Sequence, residues 1–220
     1  KKKDRGQKIK NSPIHDCAEN YNLKVRCPTT LDANDEFDHF VKLNPDLVIV
    51  VAYGKIIPNK FLDSGKILFI NVHASILPKW RGAAPIQRSI MNMDNETGVS
   101  IMKIIPKLDA GPILMQSKIK INRETTFKDL STEMSKLGAK LILDTLECIE
   151  NNNVNFTDQK ELDASYARKI EKSEAKISWN VEANKIVAKI NALNPNPGCW
   201  FELLGGRVKI IKAKETNNSG

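Results

Sequence analysis

Residues 47–52 read LVIVVA and residues 67–72 read ILFINV. Neither run alternates apolar with polar, so both are expected as strands buried on both faces, as in the centre of a parallel sheet. Residues 58–62 form a short helical stretch, and Asp63-Ser64-Gly65 leads out of it into the second run. Two buried strands joined by a helical crossover make a β-α-β unit, and this fixes the chain as α/β.

The remaining pattern extends that unit. Residues 14–20 and 34–43 read as helices, the second capped by Asn34 and stopped at Asn44-Pro45, with a short strand at 23–25 between them. A helix over 86–93 begins after Pro85, and strands follow at 99–105 and 113–121. Thr125 or Thr126 caps a long helix to about Glu150, whose Leu130, Met134, Leu137, Leu141 and Ile149 form one apolar stripe of core. Residues 151–165 are polar and read as a linker. After it come a helix at 183–193, stopped by Asn194-Pro195-Asn196-Pro197-Gly198, and a hairpin turning at Gly205-Gly206. The expected organisation is residues 1–150 as a first domain and 166–220 as the opening of a small β-rich one.

Composition narrows the setting. The 220 residues are 41% hydrophobic and 27% charged, an ordinary globular balance. No apolar run is long enough to span a membrane and no signal peptide opens the chain, so the cytoplasm is the expected compartment. Cys17, Cys27, Cys148 and Cys199 show no C-x-x-C spacing, and His15, His39 and His73 show no ligand spacing, so no metal is expected. The net charge is +8, and residues 1–10 (KKKDRGQKIK) hold six Lys or Arg against one Asp. Such a tract suits a polyanion such as nucleic acid, or is simply a solvated terminus. Lys1 is not Met, so the chain is expected to begin partway into a longer protein.

The most informative stretch is 69–88, FINVHASILPKWRGAAPIQR. Residues i and i+2 of a strand point the same way, so Asn71 and His73 share a face near the end of the second strand. Ligands of open α/β sheets bind beyond the carboxyl ends of strands. Gly82, Ala83 and Ala84 leave room for close approach to the backbone, by a ligand or by the protein itself. Trp80 and Arg81 read equally as a surface aromatic–cation pair or a substrate contact. Lys107-Leu108-Asp109-Ala110-Gly111-Pro112 follows the 99–105 strand, and a carboxylate at its end is within reach of His73.

Together, N-x-H-x-S-x-L-P, R-G-A-A-P-I and the later L-D-A-G resemble the folate-dependent formyltransferases, and within them the branch acting on initiator methionyl-tRNA. The resemblance also takes in residues 50–58, Glu96-Thr97-Gly98, Ser165-Tyr166-Ala167, Ala175-Lys176-Ile177, Ser178-Trp179 and Asn194-Pro195-Asn196-Pro197. It implies a Rossmann-like, mostly parallel sheet, preceded by a further β-α-β before Lys1 and followed by an OB-like barrel completed beyond Gly220. The catalytic trio it implies is Asn71, His73 and Asp109. Ser75, Ile76, Leu77 and Pro78 correspond to the folate-contacting loop, and Tyr53 and Ile57 to the pterin surroundings. Arg5-Gly6 matches the core of a basic loop that enters the tRNA acceptor stem. Ala74 stands where glycine is frequent, and Gln7 interrupts a usually basic pair.

The implied reaction moves a formyl group from the co-substrate 10-formyltetrahydrofolate to the α-amino group of methionyl-tRNA, on an enzyme expected to act as a monomer. Asn71 and a protonated or polarised His73 would donate to the developing oxyanion, with His73 also able to pass a proton to the departing nitrogen; Asp109 would orient His73, directly or through a water, or accept the amine proton through that water. Arg5, Lys8, Lys10, Arg207 and Lys209 are the candidate tRNA contacts, with Lys1, Lys2, Lys3 and Lys212 beside them. Rival readings are a formyltransferase acting on a sugar-nucleotide or glycinamide ribotide amine, a hydrolase using Ser75, His73 and Asp109, and a non-catalytic RNA-binding module.

Overall fold

A computed structural model describes residues 2–3, 8–9 and 11–216, with the side chains of 2–3 and 8–9 left undescribed. Contacts divide the chain into two compact units, 1–44 and 45–220.

In the first unit, β1 (Lys2–Lys3) pairs antiparallel with β2 (Lys8–Ile9). Arg5, Gly6, Gln7 and Lys10, singled out as the basic loop, lie outside the described residues. Helix α1 (Pro13–Asn20) is capped by Ser12, whose hydroxyl accepts from the His15 N–H at 3.2 Å, with Pro13 at its first turn. Helix α2 (Asn34–Leu43) starts one residue earlier than expected: Ala33 is the cap and Asn34 is already helical. Its Glu36 pairs with Arg26 at 2.6 Å, which holds the carboxyl below the usual carboxylate range. Residues 23–25 form no strand among the described residues; the Leu23 N–H instead closes onto the Ala18 carbonyl of α1 at 2.9 Å.

The second unit carries the sheet. Strand β3 (Leu47–Val51) leads through α3 (Asn59–Leu62) to β4 (Leu68–His73), parallel to it. This is the expected β-α-β unit. Helix α4 (Pro85–Met91) precedes β5 (Glu96–Lys103) and β6 (Ile113–Lys120), and the sheet order is β3-β4-β5-β6. The β4–β5 and β5–β6 pairs are antiparallel, so only the opening of the described sheet is parallel. Strand β3 stands at the described edge, and Ile49 and Val51 are exposed where burial on both faces was expected. Ile49 and Val51 point to the same face of the strand, so that face is the uncovered one.

Helix α5 (Phe127–Glu150) takes Thr126 as its cap and covers one face of the sheet. Leu130, Met134 and Leu141 are buried, Leu137 and Ile149 partly so, and Val72 packs against Gly138. Helix α6 (Ala183–Leu193) adds Ile190 and Leu193 to the core that holds Ile70 and Ile101. The hairpin of β7 (Trp200–Leu203) and β8 (Gly206–Lys209) pairs Leu203 with Gly206, so its turn is Leu204-Gly205, one residue earlier than expected. Both turn residues have positive φ, 49° and 74°, as a type I′ turn requires.

Residues 165–213 pack into the same compact unit as the sheet. One clamp is ionic: Arg88 on α4 makes two bonds to Glu174, at 2.7 and 3.0 Å. These bonds, with the Glu171 N–H, hold the Glu174 carboxyl below its ordinary value. A depressed carboxyl contributes stability above its unfolded pKa and loses it as pH falls through the folded one. Glu174→Gln is therefore expected to cost about 1–2 kcal/mol at neutral pH. In thermal melts the gap to the parent should close as pH drops below the ordinary Glu value of about 4.3. A gap that stays constant through that acid range contradicts the pairing.

Candidate active site

His73 ends β4, paired with Ser100 of β5, and Asn71 lies two residues before it on the same face. Val72 points the other way, onto α5. His73 is buried, with its Nε2 2.9 Å from the Trp80 carbonyl oxygen. A carbonyl only accepts, so Nε2 carries the hydrogen and donates it. That leaves Nδ1, which faces the Asp109 carboxylate at 3.8 Å. The Asn71 side chain is half-buried and forms no hydrogen bond among the described residues. A polar amide in that setting is free to donate to something that enters.

The route by which Asp109 arrives differs from the expected one. Strand β5 runs antiparallel to β4, so its carboxyl end, Lys103, stands opposite Ile70 and not His73. The 104–112 loop must double back by the length of three strand residues, about 10 Å, to bring Asp109 to the imidazole. Gly111 permits this, since a Cβ there would run into the Lys103 carbonyl oxygen. Asp109 itself has φ of 45°, a left-handed conformation that Asp adopts more readily than most residues. Its Oδ2 accepts the Gly82 N–H at 2.8 Å.

The chain's own backbone fills the space left by the small residues. Gly82 has φ of 110°, and a Cβ there would lie 2.9 Å from the Ala167 carbonyl oxygen. Arg81 forms a parallel bridge with Tyr166, and Ala167 N–H donates to the Arg81 carbonyl at 2.7 Å. Arg81 is thus neither the cation of a surface pair nor free for substrate, while Trp80 stays partly exposed. The Arg81 side chain is fully buried, bonded to Gln159 at 3.0 Å and Glu161 at 3.0 and 3.2 Å. Lys107 and Arg81 together hold the Glu161 carboxyl below its usual range. The Trp80 indole donates to Asp94 at 2.7 Å.

In the 75–78 loop, Ser75 and Leu77 are buried while Ile76 and Pro78 are partly exposed. The Ser75 hydroxyl donates to the Lys79 carbonyl at 2.6 Å, which removes it from nucleophilic duty and disfavours the hydrolase reading. Ser100 and Gln116 brace the loop from β5 and β6: Ser100 donates to the Ser75 carbonyl and accepts from Leu77 N–H, and Gln116 donates to the Leu77 carbonyl. Sequence reasoning missed Ser100, Gln116 and Gln159, because nothing local marks a side chain whose partners are distant in the chain. Tyr53 and Ile57 lie in the segment leaving β3, whose last residue pairs in parallel with Val72, at the same end of the sheet as His73. Among the described residues no three His, Cys, Asp or Glu side chains are grouped to hold a metal ion.

Of the candidate nucleic-acid contacts, the Lys8 side chain is not described. Arg207 stacks on Trp200, with its guanidinium carbon 3.9 Å from the ring centroid. Lys209 sits directly opposite Trp200 across the hairpin.

The fold and this site define a transferase of one-carbon chemistry: the chain belongs to the formyl transferase family. The model of that family matches residues 1–146, and the model of the formyl transferase C-terminal domain matches 169–220. More particularly, the chain is 51% identical over 221 residues to a protein of Pelagibacter ubique named methionyl-tRNA formyltransferase, spanning all of this chain and 71% of that one. A protein of the same name from Brucella abortus is 40% identical over 213 residues, covering 96% of this chain and 70% of its own length. Among solved structures, an N-formyltransferase from Helicobacter canadensis in complex with folinic acid and dTDP-3-aminofucose superposes with a TM-score of 0.74 at 23% identity, over 99% of this chain and 76% of its own. HypX from Aquifex aeolicus, in complex with tetrahydrofolic acid, gives 0.68 at 21% over 80% of this chain, which spans only 30% of HypX. At these identities the two structures share the fold.

Proposed function

We propose that the protein transfers the formyl group of 10-formyltetrahydrofolate to the α-amino group of methionyl initiator tRNA, in the cytoplasm, for the initiation of translation. The observation that carries this reading is the meeting of three groups: His73 Nδ1 lies 3.8 Å from Asp109, and Asn71 offers an unpartnered amide from the same strand face. The names of the bacterial relatives support the choice of acceptor.

The chemistry follows from that arrangement. The neutral amine attacks the formyl carbon, giving a tetrahedral centre with a developing oxyanion. The Asn71 amide donates to that oxygen, a contribution of roughly 10²–10³-fold in rate. His73 keeps its Nε2 hydrogen on the Trp80 carbonyl, so the Nδ1 lone pair is the one that takes the proton shed by the amine. Asp109 stabilises the imidazolium and fixes its orientation. The same proton then passes from Nδ1 to N10 of the folate as the carbon–nitrogen bond breaks, leaving tetrahydrofolate and formyl-methionyl-tRNA. The 3.8 Å separation is longer than a hydrogen bond, and such contacts tighten when substrates close a site.

In this reading residues 1–150 are the catalytic domain and 151–165 a linker to a tRNA-binding barrel opened by 166–220. The loop of Ser75, Ile76, Leu77 and Pro78, with Tyr53 and Ile57, receives the folate. Arg5, Lys8, Lys10, Arg207 and Lys209 meet tRNA phosphates. Arg5→Ala is then expected to raise KM for tRNA while kcat stays near its parent value. It should also flatten the log–log salt dependence of tRNA binding by about one unit. An unchanged salt slope reassigns the basic tract to a solvated segment. The function itself is tested by incubating the protein with methionyl initiator tRNA and 10-formyltetrahydrofolate. Formyl-methionyl-tRNA is the expected product, and its absence under saturating substrates rejects the assignment.

A further inference from the structure

The 104–112 loop has to be held in an unfavourable path, and what holds it comes from some fifty residues further along the chain. The Gln159 amide donates two hydrogen bonds, to the Asp109 carbonyl at 2.9 Å and to the Gly111 carbonyl at 2.7 Å. Its own oxygen accepts from Arg81 Nε at 3.0 Å. Arg81 Nη1 in turn binds Glu161, and Glu161 takes Lys107 at 2.8 Å, at the other end of the same loop. Residues 159 and 161 therefore grip both ends of the 107–111 turn. Asp109, at φ of 45°, pays about 1–2 kcal/mol for its backbone conformation and persists there only if its surroundings over-determine it. Burial of Arg81 adds to the cost, since its Nη2 has no partner among the described residues.

We infer that Gln159, fixed by the buried Arg81, is a positioning residue for Asp109: it sets the carboxylate against His73 by clamping the two carbonyls on either side of Ala110. Both donors of one amide are spent on backbone carbonyls of the loop, and its acceptor is spent on a fully buried guanidinium, so the amide's orientation is fixed at three points. The loop's other bonds, Lys103 N–H to the Pro112 carbonyl at 2.9 Å, Ala110 N–H to the Lys107 carbonyl at 3.3 Å and Gly82 N–H to the Asp109 carboxylate, leave the 109 and 111 carbonyls to Gln159. This inference rests on the proposed role of Asp109 in formyl transfer. It adds that the segment linking the two family regions sets the geometry of the catalytic one.

The test is a double-mutant cycle on the full chain, with formyl transfer measured at saturating and limiting substrates and folding followed by thermal melts. Gln159→Ala is expected to lower kcat about tenfold with KM for tRNA and folate within about twofold, the signature of misplacement and not of lost binding. Gln159→Met keeps the volume and loses the hydrogen bonds, so it should fall equally, and it carries the test if the alanine variant fails to fold. In an Asp109→Asn background, Gln159→Ala should change kcat by less than about twofold. A full tenfold loss in that background means that Gln159 acts elsewhere and overturns the inference, as does unchanged kcat in both single variants. If Asp109→Asn alone retains parental turnover, the catalytic reading of Asp109 has failed, a result separate from either of these.

Discussion

Asp109→Asn is expected to lower kcat on the order of 10²-fold or more while the protein stays folded. The substitution is nearly isosteric, and its side-chain oxygen still accepts the Gly82 N–H that now reaches Oδ2 at 2.8 Å. What it removes is the charge beside His73 Nδ1. In the proposed cycle that ring nitrogen becomes cationic between deprotonating the amine and protonating N10. An uncharged neighbour leaves the cation without its counter-ion in a buried position, and general acid–base steps contribute about 10²–10⁴-fold. KM for tRNA should be little altered, because the carboxylate stabilises a species formed only after binding. Parental turnover in a folded Asp109→Asn protein removes the residue from the site.

Asn71→Ala is expected to reduce kcat by more than tenfold, and up to about 10³-fold, with folate binding preserved. The amide has no hydrogen bond to lose among the described residues, so its removal costs the fold little, and melting temperature should move by no more than a few degrees. Such a split, large in rate and small in stability, separates a donor to the transition state from a structural asparagine. Equilibrium binding of a folate analogue by fluorescence, run beside steady-state kinetics, measures both halves. An unchanged kcat, or a loss confined to folate affinity, rejects the oxyanion role.

The face shared by Asn71 and His73 was legible because strand periodicity is local and needs no partner. The same holds for β3, α3 and β4, where apolar runs and a Gly-containing break state the unit outright. Strand direction was not legible. An apolar run such as 99–105 reads alike in either direction, so the antiparallel course of β5, and with it the doubling back of the Asp109 loop, had to come from three-dimensional register. Trp80 and Arg81 were ambiguous for a related reason. Gln159, Glu161 and Ser165, which bury Arg81 and bind the Trp80 N–H, lie about eighty residues away. The hairpin turn moved by one residue because Leu204, an unfavourable residue at positive φ, occupies a position that sequence preference gives to glycine.

In the proposed cycle the His73 imidazole carries the proton from amine to folate nitrogen. A single-turnover measurement of formyl transfer from 10-formyltetrahydrofolate to methionyl-tRNA, with parent and His73→Ala proteins at saturating concentrations, tests it most directly. Rapid transfer is expected of the parent and a rate on the order of 10²-fold lower or more of the variant, with tRNA binding retained. Equal single-turnover rates in the two proteins would contradict it.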